Sequence, residues 1–150
     1  MSDDVGTIAP HGGTLVDLRV TGPGADALSA EAINIPRVAI GERELSDLEM
    51  LATGALSPLT GFQTEADYHA VLETMHLSNG LAWAIPVVLG VSDADAHRIG
   101  GASSIALTSD PDAPPVAVLR VTESFKRDKP KEALAVYRTD DLEQWHPLGR

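Results

Sequence analysis

No long uninterrupted apolar run occurs in this chain, and that limits what it can build. The longest run, Leu81 to Val91, already contains Pro86 and Gly90 and is too short to span a membrane as a helix. What remains is a series of short segments. Leu15, Val16, Leu18 and Val20 predict a strand, broken at Gly22-Pro23-Gly24. A short helix is expected over Ala25 to Ala32, and an extended edge segment over Ile33 to Ile40, where Pro36 lacks an amide donor. Ser46-Asp47-Leu48-Glu49 has the spacing of a capping box, with Leu45 and Met50 placed as a hydrophobic staple and Gly54 able to end the helix left-handed. Thr64 caps a second helix running to His76, with Tyr68, Val71, Leu72 and Met75 on one face.

Asn79-Gly80 marks a turn into the best strand candidate, Leu81 to Val91. Ser92 caps a helical turn over Asp93 to Ile99. Ser104 to Leu107 and Val116 to Val121 read as two strands joined by a proline-rich turn. Asp128 caps a last helix, Lys129 to Arg138, with Ala133, Leu134, Val136 and Tyr137 on its core face. Short strands and helices without regular β-α-β alternation favour an α+β fold with a compact, partly closed sheet.

At 150 residues and 43% hydrophobic the chain can bury one core. Residues 1–13 read as an arm, 14–138 as the domain and 139–150 as a linker. The formal net charge of −11 opposes phosphate backbones and anionic lipid, so nucleic acid and membrane are unfavoured partners. The one basic cluster, Lys126, Arg127, Lys129 and Lys131, reads as the solvated start of a helix. With no cysteine, disulfides and thiolate metal sites are excluded. The acidic Met1-Ser2-Asp3-Asp4 shows no secretory signal, and a cytoplasmic location is expected.

The sequence contains no phosphate-binding Gly-Lys-Ser/Thr, no Gly-x-Ser-x-Gly and no His-x-x-His. Three weaker constellations have simpler readings. Gly22-Pro23-Gly24-Ala25-Asp26-Ala27 fits a dinucleotide fingerprint, but Pro23 removes a needed donor, so it reads as a loop. Asp93, Asp95 and His97 read as caps and solvated groups rather than metal ligands. His69 and His76 lack a third ligand. Among the aromatics Trp83, Trp145, Tyr68 and Tyr137, core packing is the better account of Trp83 and Tyr68 than base stacking.

The segment Glu44-Leu45-Ser46-Asp47-Leu48-Glu49-Met50-Leu51-Ala52-Thr53-Gly54-Ala55-Leu56-Ser57-Pro58-Leu59-Thr60-Gly61-Phe62 resembles the signature of the N-terminal domain of sulfate adenylyltransferases. The likeness continues through Asp67-Tyr68, Asn79-Gly80-Leu81-Ala82-Trp83 and Ile85-Pro86-Val87. It also takes in Pro10-His11-Gly12-Gly13 upstream and Asp128-Lys129 with Glu132-Ala133 and Val136-Tyr137 downstream. Gln63 stands where the family usually has methionine, and Ala84 where a proline is common.

This resemblance implies a PUA-like pseudo-barrel with flanking helices. It implies an enzyme family that joins MgATP and sulfate into adenosine 5′-phosphosulfate and pyrophosphate. The family's Gln-x-Arg-Asn-Pro, His-x-x-His and Gly-Arg-Asp motifs, which supply that chemistry from a following domain, are not present here. The chain is therefore expected to be a non-catalytic scaffold with no cofactor of its own, whose partner is the catalytic domain of the same enzyme or another subunit. The turn Ser57, Pro58, Leu59, Thr60, Gly61 and Phe62 is the candidate interface, with Leu59 and Phe62 either apolar anchors for a partner or members of the chain's own core. A free-standing PUA-like module for RNA or a small ligand is the alternative.

Overall fold

A computed structural model describes residues 8–139. The chain divides into two compact units, one formed by Met1–Gly61 with Gly90–Arg120 and the other by Phe62–Leu89 with Val121–Arg150. The α+β class expected from the short mixed segments is observed.

The first unit is built on a three-stranded mixed sheet. Strands β1 (Arg37–Ala39) and β2 (Ser104–Thr108) are parallel, with Val38 opposite Leu107. Strand β3 (Pro115–Arg120) pairs antiparallel with β2, Ile105 facing Leu119, and the register shifts between Leu107 and Thr108. All five residues of β2 are buried, as suits the central strand, whereas the edge strand β3 opens on Pro115, a position that needs no ladder donor. Val38, Ile105, Leu107 and Thr108 are almost completely buried and form the centre of the core.

Helix α1 (Pro23–Ala32) is tied to β3 by the Arg120–Glu31 ion pair, and Arg120 also donates to Ser104 Oγ at 2.8 Å. Helix α2 (Glu42–Thr53) begins a full turn before the expected capping box, with Gly41 as its N-cap. Ser46 thus lies inside the helix. The four residues Glu42 to Leu45 are good helix formers in an unobstructed register, and two acidic side chains in the first turn complement its positive end. Gly54 ends α2 at φ 81°, as expected.

The predicted strand at Leu15–Val20 joins no ladder. Its inward amides are satisfied instead at the end of α2, where Val16 N–H donates to Ser57 Oγ at 2.9 Å and Leu18 N–H to the Ala52 carbonyl at 3.0 Å. Helix α4 (Asp93–Ile99) forms with Ser92 Oγ accepting from Asp95 N–H, as predicted.

The second unit is carried by α3 (Glu65–Thr74), capped by Thr64, whose hydroxyl accepts from Asp67 N–H at 3.2 Å. Tyr68, Val71 and Leu72 are its buried face. The helix stops before His76 because Met75 turns left-handed at φ 57°. Asn79-Gly80 makes the expected turn, with Leu77 N–H donating to the Leu81 carbonyl and an isolated bridge between His76 and Ala82.

The strand predicted over Leu81–Val91 is absent among the described residues. Its backbone groups find scattered partners rather than a neighbouring strand. Trp83 N–H donates to the Met75 carbonyl, and Val87 exchanges two bonds with Gln63, one through the Gln63 side chain. The alternating apolarity marks neither a ladder nor a buried face: the sequence neighbours Pro86 and Val87 are both buried while Ile85 is half exposed.

At the C-terminal end Asp128 caps α5 (Lys129–Glu132), which continues as a π-helical turn, Ala133–Tyr137, closed by Arg138 at φ 59°. The wider π turn rotates the expected core face. Ala133 is buried, but Leu134 and Tyr137 are exposed.

Candidate interface turn and charged groups

The turn after α2 is fixed from its upstream side. Ser57 is buried, and its Oγ donates to the Gly54 carbonyl at 2.6 Å while accepting Val16 N–H. Leu59 N–H closes the loop on the Leu56 carbonyl at 2.9 Å, and the Ser57–Pro58 peptide is cis. The left-handed residue is Gly54, not Gly61, which has no positive φ. A Cβ at Gly54 would lie 2.8 Å from Leu15 Cδ1 and 2.9 Å from the Val16 carbonyl oxygen.

Leu59 is buried and Phe62 partly buried, so Leu59 does not project as a free apolar anchor; Thr60 is the exposed member of the turn, with Pro58 and Gly61 intermediate. The Ser57 hydroxyl, rather than a left-handed Gly61, ties this turn to the backbone at Gly54 and Val16.

The remaining sequence candidates separate in space or turn inward. At Gly22-Pro23-Gly24, Ala25 N–H and Asp26 N–H both donate to the Gly22 carbonyl, and Val20 Cγ1 lies 2.8 Å from where a Gly24 Cβ would stand. These residues are the N-cap and first turn of α1 rather than the loop expected from sequence, and the Ala25 and Asp26 donors are committed to the Gly22 carbonyl. Asp95 is engaged by Ser92 Oγ and Arg98, which hold its carboxyl below the usual range, Arg98 contributing most. Among the described residues no group of three His, Asp or Glu side chains is placed to hold a metal ion. His69 stays on α3 within 3.9 Å of Glu65, whereas His76 lies past the helix end with Nδ1 2.6 Å from the Thr74 carbonyl oxygen.

Within each unit, several cations are paired with nearby carboxylates. Arg19 meets Asp17, Arg98 meets Asp95 and Arg120 meets Glu31 in the first unit; Arg127 meets Glu132 and Lys131 meets Glu73 in the second. Two of the four residues in the basic cluster, Arg127 and Lys131, are thereby neutralised locally. The most buried of these pairs was not anticipated from sequence. Arg127 grips Glu132 through Nη2 at 2.5 Å and Nε at 3.1 Å, and the Tyr68 hydroxyl donates to Glu132 Oε2 at 3.1 Å. The Arg-x4-Glu spacing at a capped helix start was the available signal. Tyr68 also packs on Phe125, ring centroids 5.4 Å apart.

The fold is thus a small α+β domain of short elements in which Arg19, Arg98, Arg120, Arg127 and Lys131 each face a carboxylate of their own unit. The chain belongs to the PUA-like domain family, whose model matches residues 8–149. It is 48% identical over 134 residues to the sulfate adenylyltransferase of Symbiobacterium thermophilum, covering 89% of this chain and 34% of that protein. It is 42% identical over 147 residues to the sulfate adenylyltransferase of Acaryochloris marina, covering 98% of this chain and 37% of that protein. The chain thus spans about a third of the length of these relatives. Among solved structures, the hexameric APS kinase from Thiobacillus denitrificans superposes with a TM-score of 0.70 at 35% identity, over 82% of this chain and 24% of that one.

Proposed function

We propose that this chain serves as a non-catalytic scaffold domain of a sulfate adenylyltransferase, the enzyme class that converts ATP and sulfate to adenosine 5′-phosphosulfate and pyrophosphate in sulfate assimilation. The observation that carries this reading is the identity of 48% confined to about a third of the relative's length. The rest of the relative supplies ample chain for a separate catalytic domain, which is the proposed partner, alone or in another subunit. MgATP belongs to that domain.

The paired cations support the division of labour. Adenylyl transfer to sulfate needs positive and hydrogen-bonding groups aimed at phosphate and sulfate oxygens. Here Arg98, Arg120 and Arg127 are each committed to a carboxylate of their own unit. Calorimetric titration of the purified chain with MgATP and with sulfate tests this reading. No saturable heat is expected; a stoichiometric isotherm for either ligand contradicts it. The same local pairing disfavours an RNA-binding module, since phosphate neutralisation drives that binding.

A further inference from the structure

The stretch Val16-Asp17-Leu18-Arg19-Val20 has the alternation of a strand, yet among the described residues no strand pairs with it. The Val16 and Leu18 amides, two residues apart, both turn inward, to Ser57 Oγ and to the Ala52 carbonyl. Successive residues of an extended chain direct their backbone groups to opposite edges, so those of Asp17 and Arg19 lie on the outer edge. There the Asp17 carboxylate accepts from Arg19 N–H at 3.0 Å and from the Arg19 guanidinium at 2.6 Å. Val16 is half-buried, while Leu18 and Val20 are 39% and 49% exposed, so the apolar side of the stretch is left largely uncovered.

We infer that this outer edge is a contact between two copies of the chain, which pair residues 16–20 antiparallel about a two-fold axis at Leu18. The occupant follows from the order of the five residues. An antiparallel register centred on Leu18 sets Val16 opposite Val20, Asp17 opposite Arg19 and Leu18 opposite its own copy. Apolar then meets apolar at three positions and carboxylate meets guanidinium at two, pairings that stabilise neighbouring strands. A parallel, in-register pair would set Asp17 against Asp17 and Arg19 against Arg19. The backbone fits the antiparallel register as well. Asp17 and Arg19, whose groups face outward, are the residues that exchange hydrogen bonds in it, and the two copies of Leu18 form the closer pair without such bonds. On pairing, Arg19 exchanges the Asp17 of its own chain for the partner's Asp17, so no charge loses its counter-charge. Two-fold symmetry closes the edge at two copies instead of propagating a filament.

The chain has no cysteine, so single thiols report the register. Leu18→Cys sets two thiols face to face across a pair whose Cα separation of about 4.5 Å suits a disulfide. With oxidised glutathione, Leu18→Cys is expected to form a disulfide-linked dimer about tenfold faster than Ile33→Cys, which is 72% exposed. Asp17→Arg and Arg19→Asp each set like charges opposite one another, and each alone is expected to weaken self-association about tenfold in sedimentation equilibrium at low salt. Mixed in equal amounts, the two variants again set opposite charges against each other. Their heterodimer is expected to recover the affinity of the unaltered chain to within about threefold. Both substitutions alter exposed side chains, and circular dichroism establishes that each variant is folded before mixing.

Five residues a side make a small contact, so the dimer is expected to be weak and is sought up to about 1 mM chain. A chain that stays monomeric there leaves the edge to a different partner and overturns the inference. Ile33→Cys linking as fast as Leu18→Cys overturns it too. Self-association that persists undiminished in both Asp17→Arg and Arg19→Asp places the contact elsewhere, and loss in each without recovery in the mixture overturns the register. None of these outcomes touches the scaffold reading, which the ligand titrations test separately.

Discussion

The Tyr68 hydroxyl donates to Glu132 Oε2 across 64 residues of sequence, at 3.1 Å, in a site where Tyr68 is wholly buried and Glu132 nearly so. Arg127 holds the same carboxylate by two further bonds. Removing the carboxylate strands a partly buried guanidinium and a buried hydroxyl together. Glu132→Ala is therefore expected to cost about 3–5 kcal/mol, and Tyr68→Phe only about 1–2 kcal/mol. Urea unfolding with an unchanged m-value checks both. Combining the two substitutions should cost less than the sum of the single effects, because they share one partner.

Alkaline pH should loosen the same site. Burial, and then the neighbouring Glu132 carboxylate, push the Tyr68 hydroxyl up to about 12. In the unfolded chain a tyrosine loses its proton near 10. Between those values the unfolded state binds fewer protons than the folded one, so this contribution to stability is complete below pH of about 10 and is lost as pH rises towards 12. The thermal midpoint of Tyr68→Phe should fall less steeply over that window than that of the unaltered chain; parallel curves would refute the assignment.

Gly54 and Gly80 separate two costs that substitution of a left-handed glycine carries. Both have positive φ, but a Cβ at Gly80 meets nothing within 4 Å, whereas one at Gly54 meets Leu15 and the Val16 carbonyl below 3.0 Å. Gly80→Ala should cost about 1 kcal/mol, the backbone strain alone, and Gly54→Ala about 2–4 kcal/mol because packing must also yield. Denaturant midpoints of the two variants measure the difference.

Gln63 presents a buried side-chain amide whose Oε1 accepts Val87 N–H at 2.9 Å and whose Nε2 has no hydrogen-bond partner. Gln63→Met exchanges one lost bond for one removed orphan donor, and its net effect should stay within about 1 kcal/mol. The Val87 amide should nevertheless exchange faster with deuterium, since its acceptor is gone. Unchanged Val87 protection would show that another group serves it.

Much of the fold was legible because short-range chemistry decided it. Thr64, Ser92 and Asp128 cap the helices they were expected to cap, since each needs only an oxygen two or three residues from an unpaired amide. Gly54 and Asn79-Gly80 turn for equally local reasons. Leu15–Val20 and Leu81–Val91 were misjudged because alternation does not say which backbone lies alongside, and here it does not mark a buried face either: Leu15, Leu18, Val20 and Ile85 are exposed. Their amides went to a helix end, a hydroxyl and a glutamine side chain.

The Ser57–Phe62 turn was found, but the burial of Leu59 depends on what surrounds it, which no local pattern contains.

The most direct test of the scaffold account is a pyrophosphate-release assay on the purified 150-residue chain with MgATP and sulfate. The account predicts release no faster than in protein-free buffer, and predicts that adding the relative's unmatched region, not more ATP or sulfate, is what brings turnover. Sulfate-dependent pyrophosphate release that scales with the concentration of this chain alone would contradict it.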